Sequence, residues 1–200
     1  MESKRKIIIA VTGASGAIYA ETLLEGIAAL ENRPGQAALI FTANAEEIWN
    51  YELGTEVSWL KGRDNSSTAA GSHLFKIYEN DDFYAPFASG SSKYDTMIIC
   101  PASMGMMGRI AAGTADDLIS RAADVMLKER RKLILVPRET PYNLIHINNM
   151  KRLTEAGAII LPATPSFYSR PQSIKELVST VTDRILRLAG FDPGTPGWGE

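Results

Sequence analysis

The chain has few of the residues that bind transition metals or form cross-links. Its 200 residues include one cysteine, Cys100, and two histidines, His73 and His146. A single cysteine excludes an intramolecular disulfide and fits a reducing compartment. A zinc site of ordinary composition is not expected, and no aspartate-rich motif offers a magnesium clamp. We expect Cys100 and His146, the latter flanked by Ile145 and Ile147, to pack in the core.

Long apolar runs and a strong net charge are also missing. No run approaches the roughly 18 apolar residues of a membrane-spanning helix. The charged stretch MESKRK lacks the apolar region of a signal peptide. The net charge of −2 creates no overall field toward nucleic acid or an anionic membrane. We therefore expect a cytoplasmic protein without nucleic-acid or membrane partners.

Short apolar stretches alternate with amphipathic ones along the whole chain. Continuous hydrophobicity indicates strands buried on both faces, as in a parallel sheet. The pattern predicts an α/β fold, a Rossmann-like three-layer sandwich with a mainly parallel sheet, in one domain over 1–190. An irregular tail would follow over 191–200. Predicted strands are 6–11, 37–42, 74–78, 96–101, 132–137 and 158–162, and predicted helices are 17–30, 44–53, 104–112, 116–130, 142–156 and 173–189.

Polar and glycine-rich segments follow most of the predicted strands. Ligands of such sheets bind beyond the carboxyl ends of the strands. These segments are therefore the candidate binding loops. Their convergence at one edge of the sheet is stronger evidence for a binding site than any single motif. They are 12–17, 42–47, 102–108, 138–143 and 163–172.

The first of these loops, within VTGASGA, joins a strand to a helix through Gly13 and Gly16. Free amide groups at the start of that helix attract an anion, although a plain strand-to-helix turn is the alternative. A dinucleotide fingerprint needs G-x-G-x-x-G and an acid at the end of the second strand. Thr42 stands there instead. A mononucleotide such as FMN has no such requirement.

Several cations stand where a phosphate could bind. Arg121 and Lys128 are seven residues apart, so they share one helix face, which is either solvated or clamps a phosphate. Arg138 and Glu139 directly follow a strand, as a surface ion pair or as ligand contacts. A charged side chain that is buried in an apolar core needs a partner of opposite charge, which bears on the arginine of the last helix.

Arg184 interrupts a predicted apolar stripe of Leu177, Val181 and Leu188 on the last helix. It either extends past the core edge to solvent or meets an anion, to which Tyr168 could add a hydroxyl. Ser173 and Glu176 predict a capping box at the start of the same helix.

Five stretches of the chain carry a resemblance to a known family: VTGASGAIYA, ASGSS, CPASMGMMGRIAAG, RAADVMLKERRKLILVPRETP and AIILPATPSFYSRPQSIKEL. Over residues 6–190 the chain resembles the flavin prenyltransferases, the UbiX family. The resemblance implies an enzyme that joins the dimethylallyl group of dimethylallyl monophosphate to N5 and C6 of reduced FMN without a metal. The product, prenylated FMN, would serve UbiD-type decarboxylases. It also implies a homo-oligomer, a dodecamer with sites built from several subunits.

Matching positions carry the roles of the family onto this chain. Catalytic roles are implied for Ser15, Glu52, Lys128 and Glu139, with Glu139 either orienting Lys128 or Arg121 or donating a hydrogen bond. Trp198 would lie near the site. Some members of the family carry lysine at the position of Gly105 and others carry glycine, whereas threonine is frequent at the position of Met106. FMN contacts are implied for Gly13, Ala14, Ser15, Thr42, Ser103, Met104, Gly105, Met106 and Arg138, and contacts to dimethylallyl phosphate for Arg121, Lys128, Glu139, Tyr168 and Arg184.

Three other functions are compatible with a flavin-binding α/β chain. One is an FMN-dependent cysteine decarboxylase, although its histidine base and P-x-M-N segment have no counterpart here. A second is a flavin-binding protein without turnover, which would not need the cations around Arg121 and Arg184. The third is a direct aromatic acid decarboxylase, for which the chain shows no dedicated aryl-acid site.

Overall fold

A computed structural model describes residues 5–57 and 74–195 of the chain. The polar stretch GRDNSSTAAGS (62–72), whose composition predicts a loop, and the residue Trp198 lie outside the described residues. The structural statements that follow concern the described ranges.

The strands form a single sheet in the order β3-β2-β1-β4-β5-β6, and every neighbouring pair runs parallel. This order is typical of nucleotide-binding sheets. From β1 the chain adds β2 and β3 on one side and then β4, β5 and β6 on the other, so the order of the strands reverses between β1 and β4. The predicted α/β fold is confirmed, with a sheet that is parallel throughout. The strands are β1 (Lys6–Val11), β2 (Gln36–Phe41), β3 (Phe75–Tyr78), β4 (Tyr94–Ala102), β5 (Lys132–Pro137) and β6 (Ile159–Ile160).

Polar side chains fix where most helices begin. Asp117 accepts a hydrogen bond from the Ser120 amide, and Asn143 accepts one from the His146 amide. These caps make the two helices start two residues later than predicted. The helices are α1 (Ala17–Ala29), α2 (Ala43–Leu53), α3 (Met104–Ala111), α4 (Leu118–Lys128), α5 (Leu144–Glu155) and α6 (Ile174–Ala189), with a 3₁₀ turn at Pro86–Ala88.

The capping box predicted at the start of α6 is half present. Ser173 accepts a hydrogen bond from the Glu176 amide at 3.1 Å. The Glu176 carboxylate instead accepts from the Gln172 amide at 2.7 Å, one residue before the cap. The Ser173 cap thus fixes the start of α6.

Two apolar cores cover the two faces of the sheet. Ile7 and Ile9 of β1 pack with α1, α2 and α6, whereas Ile8 and Ala10 pack with α3, α4 and the 3₁₀ turn. Successive strand residues point to opposite faces, so burial on both sides requires an unbroken apolar run. This is why the strands read as continuous apolar stretches and why the sandwich has three layers.

The predicted apolar stripe through Arg184 is wrong. Val178, Val181, Ile185 and Leu186 form the buried face of α6, while Arg184 is exposed. Periodicity allowed more than one apolar face on this helix, and packing against α1 selected the one that excludes Arg184. Its charge therefore needs no buried partner within this chain.

The prediction of a core position for His146 is also wrong, whereas Cys100 is fully buried as expected. His146 is half-buried and belongs to a capping box with Asn143 at the start of α5. Its neighbours Ile145 and Ile147 are 68% and 50% exposed. Helix α5 thus presents apolar side chains outward.

Candidate active site

A buried threonine joins the two strands between which the sheet order reverses. The Thr12 hydroxyl donates to the Pro101 carbonyl at 2.9 Å and accepts from the Ser103 amide at 2.8 Å. The side chain is 1% exposed, so these bonds fix the loop after β1 against the end of β4. Sequence reasoning missed Thr12, although a lone polar residue ending a buried strand is a visible signal.

A cavity of about 420 Å³ opens beside this link, at the carboxyl ends of β1, β2 and β4. Crevices at this point of such a sheet are the usual ligand sites of the fold. The cavity gathers Gly13, Thr42, Ser103, Gly105 and Met106, all predicted to contact FMN. We call it the α2–α3 cavity, and its lining residues are Gly13, Thr42, Ala43, Asn44, Asn80, Ser103, Gly105, Met106, Arg109 and Asp117.

Two helices begin at the wall of the α2–α3 cavity. The Thr42 hydroxyl caps α2 by accepting from the Ala45 amide, and the Ser103 hydroxyl caps α3 by accepting from the Met106 amide, both at 3.2 Å. The first amides of a helix have no acceptor within that helix, and the helix dipole adds partial positive charge there. The cavity is therefore suited to an anion such as a phosphate.

The start of α1 has a different environment. Gly16 takes a left-handed conformation with φ of 109°. The amides of Gly16 and Ala17 both donate to Glu52 Oε2 at 2.8 Å. The amides that were expected to attract an external anion thus bind a carboxylate of α2 from the same chain.

Ser15, Glu52 and Arg138 form one connected network above the end of β1. Arg138 Nε donates to the Ser15 carbonyl at 2.8 Å. Burial raises the pKa of Glu52, but hydrogen bonds from the Ser15 hydroxyl and two backbone amides, with the Arg138 charge, lower that pKa overall. Glu52 is therefore ionised at neutral pH.

Two further residues predicted to contact FMN, Ala14 and Met104, are not among the residues that line the α2–α3 cavity. The Ala14 amide donates to the Thr12 carbonyl at 2.7 Å, within the turn after β1. Met104 is 7% exposed and packs in the core beneath α3. Met104 therefore supports the start of α3 from below, and the cavity is lined by its neighbours Ser103 and Gly105.

The residues predicted to bind dimethylallyl phosphate have separate partners within the chain. Arg121 Nε donates to the Ala88 carbonyl at 3.1 Å. Lys128 pairs with Glu129 at 2.7 Å, and Glu139 accepts from the Thr140 amide at 2.9 Å. Within one chain it is thus Glu129 that orients Lys128, which sequence reasoning missed.

The same residues lie on both faces and both ends of the sheet. Lys128 ends α4 just before β5 begins, whereas Arg138 and Glu139 follow the end of β5. The six residues of β5 separate these positions by about 20 Å. Tyr168 is 77% exposed, and Arg184 lies on α6, across the sheet from α4. A single chain does not bring these side chains together.

Residues 5–57 and 74–195 contain neither a cluster of metal-binding side chains nor a membrane-spanning helix. No group of three or more His, Cys, Asp or Glu side chains in those ranges is placed to hold a metal ion. Nor is any helix of those ranges both long enough and apolar enough to cross a membrane.

Known proteins are similar to this chain in fold and in sequence. A family model described as Flavoprotein matches residues 1–186. A flavin prenyltransferase UbiX from Methanocaldococcus jannaschii is 41% identical over 187 residues, which cover 94% of each chain. The solved structure of AnUbiX (PadA1) with FMN and dimethylallyl pyrophosphate has a TM-score of 0.86 at 38% identity, covering 98% of this chain and 99% of that one.

A dodecameric FMN-dependent UbiX-like decarboxylase from Escherichia coli O157:H7 has a TM-score of 0.85 at 34% identity, covering 98% of this chain and all of that one. Agreement over nearly the full length of both partners, at these identities, confirms the family predicted from the sequence stretches. The chain belongs to the flavoprotein family and, within it, to the flavin prenyltransferases of the UbiX type.

Proposed function

We propose that this chain transfers the dimethylallyl group of dimethylallyl monophosphate to N5 and C6 of reduced FMN. The observation that carries the proposal is the pairing of the α2–α3 cavity with the Ser15–Glu52–Arg138 network at one end of the sheet. The cavity suits the FMN phosphate, and the loop after β1 connects it to the network, since Gly13 lines the cavity and Ser15 follows two residues later. Both are parts of one chain.

FMN fits the residues present. The neutral Thr42 ends the second strand, so no carboxylate is placed there for the ribose of a dinucleotide. The starts of α2 and α3 offer amides to a phosphate. A side chain at Gly105 would meet nothing within 4 Å, which leaves space at the start of α3. We assign Gly13, Thr42, Ser103, Gly105 and Met106 to FMN binding.

The Ser15 network would support the reacting part of the flavin. When bound, reduced FMN supplies the nucleophilic ring atoms N5 and C6. Arg138 and Glu52 hold the Ser15 turn from its two sides, and the Ser15 hydroxyl donates to Glu52. An ionised carboxylate behind a serine hydroxyl can accept a proton through it, so Ser15 and Glu52 are assigned to proton transfer.

The dimethylallyl phosphate would be held by residues of more than one subunit. Two unit charges about 4 Å apart attract by about 4 kcal/mol at an effective dielectric constant of about 20. Several such contacts can replace a metal at a departing monophosphate, provided that they hold the leaving group more tightly than the ground state. We assign this role to Arg121, Lys128, Glu139, Tyr168 and Arg184, which one chain alone leaves apart.

A homo-oligomer, and specifically a dodecamer, is part of the proposal. Leu144 and Ile145 on α5 are 70% and 68% exposed. Leu153 is the one buried residue of α5, so the helix leaves an apolar surface for a neighbouring subunit. The dodecamer of the Escherichia coli relative supports the stoichiometry. A UbiD-type decarboxylase is the proposed recipient of the product, in the cytoplasm.

The test is the mass of the flavin after reaction. The purified protein is incubated anaerobically with reduced FMN and dimethylallyl monophosphate, and the molecular mass of the extracted flavin is measured. The expected product is heavier by one dimethylallyl unit. An unmodified flavin that co-purifies with the protein would instead indicate a flavin-binding protein without this activity. A parallel incubation with the diphosphate compares the two donors.

A further inference from the structure

We propose that Arg109 is a further FMN-binding residue, which contacts the phosphate and makes the site select FMN over riboflavin. This role depends on the proposed function, since it places the FMN phosphate in the α2–α3 cavity. Arg109 is not among the residues predicted to contact FMN or dimethylallyl phosphate. It is the cation among the residues that line the described wall of this cavity.

The position of Arg109 follows from the geometry of α3. Gly105 and Arg109 are four residues apart, so they lie on the same helix face one turn from each other. Both line the α2–α3 cavity. The side chain of Arg109 can lie over the start of α3 because Gly105 contributes no side chain there.

Asp117 holds the guanidinium in place. Arg109 Nη2 donates to Asp117 Oδ2 at 2.6 Å, and Nη1 lies 3.8 Å from Asp116. Asp117 is itself fixed as the cap of α4, since its Oδ1 accepts from the Ser120 amide and hydroxyl, both at 2.7 Å. A guanidinium oriented in this way pays little further entropy when it binds a ligand.

Arg109 keeps donors that Asp117 does not use. Its Nε is buried and has no hydrogen-bond partner among the described residues. The side chain as a whole is 41% exposed, so the group also reaches the open cavity. A guanidinium has five N–H donors in a planar fork that matches phosphate oxygens. Because Nε is buried and Nη2 already contacts Asp117 and Met106 Sδ, Nη1 is the group that a phosphate oxygen in the cavity would meet.

The carboxylate of Asp117 does not cancel this preference for an anion. Its charge is offset by Arg109 on one oxygen and by the start of α4 on the other. The starts of α2 and α3 add partial positive charge from two further directions. Asp116 lies 3.8 Å from Nη1 but is 59% exposed, so water screens its charge. The remaining charges at the cavity favour a phosphate over a neutral hydroxyl, which is the difference between FMN and riboflavin.

The test compares the dissociation constants of oxidised FMN and riboflavin by flavin fluorescence quenching. Arg109→Met is expected to weaken FMN binding by about ten- to a hundredfold and to leave riboflavin binding nearly unchanged. Arg33→Met is the matched control, because it removes an arginine from the connection before β2 at the other end of the sheet. Arg109→Lys keeps a charge beside Asp117 and should lose less than the methionine variant.

Charge relocation provides the second arm. Gly105→Lys in the Arg109→Met background returns a cation to the same helix face and should recover part of the FMN affinity, again without changing riboflavin binding. Equal losses for FMN and riboflavin, no loss for either, or no recovery with lysine at position 105 would overturn the assignment. Wild-type protein that forms the prenylated flavin while Arg109→Met binds FMN normally would leave the proposed function standing and remove only this inference.

Discussion

Ser15 and Lys128 lie at opposite ends of the β-sheet, and the regions around them are built differently. Around Ser15, hydrogen bonds join the loop after β1 to α2 and to the residue that follows β5. Around Lys128, an exposed lysine at the end of α4 pairs with its neighbour Glu129. The first region is a connected crevice, and the second is an open helix end.

This difference follows from the sheet topology. The carboxyl ends of parallel strands meet at one edge, so the loops that follow them lie side by side within a single chain. Charged side chains on the outward face of a helix are not surrounded by other loops of the same chain. A ligand bound there therefore needs further groups from another subunit. We therefore expect the flavin to need one subunit and the phosphate leaving group to need at least two.

The strongest test of this contrast is Lys128→Ala. We expect prenylated flavin formation to fall by about a hundredfold or more, since one charged contact to the leaving group is lost. The FMN dissociation constant should stay as in the wild type. Single-turnover rates by flavin absorbance and FMN titrations measure the two effects. A loss of FMN binding would show that Lys128 belongs to the other phosphate.

Mixed oligomers sharpen the same comparison. Lys128→Ala and Glu52→Gln chains, each inactive or nearly so, are produced together and purified through two different tags. A site shared between subunits should regain activity, because some sites then contain neither substitution. Each variant mixed with itself is the control. Mixtures without any recovery would place both residues in a site of one chain.

Ile145→Asp tests whether the apolar face of α5 joins subunits. The 68% exposed side chain should tolerate a charge in the isolated fold, but a charge buried at an interface without a partner is costly. We expect a smaller assembly by analytical ultracentrifugation, weaker turnover and retained FMN binding. Ile145→Leu keeps the apolar surface and should assemble normally. Unchanged assembly of the aspartate variant would rule out this face.

A smaller effect is expected from Thr42→Ala at the start of α2. Loss of the hydroxyl that accepts a hydrogen bond from the Ala45 amide should lower the free energy of unfolding by about 1 kcal/mol. FMN binding should weaken as well, because the same residue lines the α2–α3 cavity. Thr42→Ser keeps the cap and serves as the control in urea titrations. Equal stability of the alanine and serine variants would show that this cap is not needed.

The smallest effect concerns Glu52 and pH. Its pKa is lower in the folded chain than in the unfolded one, so its stabilising contribution is present at neutral pH and lost as pH falls through the folded value. We expect Glu52→Gln to cost about 0.5 kcal/mol at pH 7, since the group is solvent-screened, and less at pH 3 than at pH 7. Urea unfolding at both pH values measures this. A difference that does not depend on pH would assign the cost to packing.

Many parts of the candidate site were predictable, and the reasons can be named. Thr42 and Ser103 follow buried strands and precede helices, so chain order alone places them at the ligand edge. Glu52 was identified through the resemblance to the flavin prenyltransferases, and its contact with the Gly16 amide was not predicted. That contact depends on how α2 packs beside α1, which no local pattern encodes.

The sequence did not predict the hydrogen bonds of Thr12 or the cavity position of Arg109, for two different reasons. Thr12 had a local signal, a polar residue at the end of an apolar strand, but its bonds to Pro101 and Ser103 join segments some 90 residues apart. Arg109 had no such signal, because an arginine on a short helix is usually solvated. Its place at the α2–α3 cavity depends on Asp117, which the next helix supplies.

The sequence by itself determined the parallel α/β sheet, the loops at its carboxyl edge and the family, because apolar runs, caps and extended motifs are local properties of the chain. The tertiary structure decided which apolar face α6 buries, that Glu52 and not an outside anion occupies the start of α1, and that Lys128 and Arg138 lie a strand length apart. Those outcomes depend on contacts between distant segments, and their geometry exists only once the layers have packed.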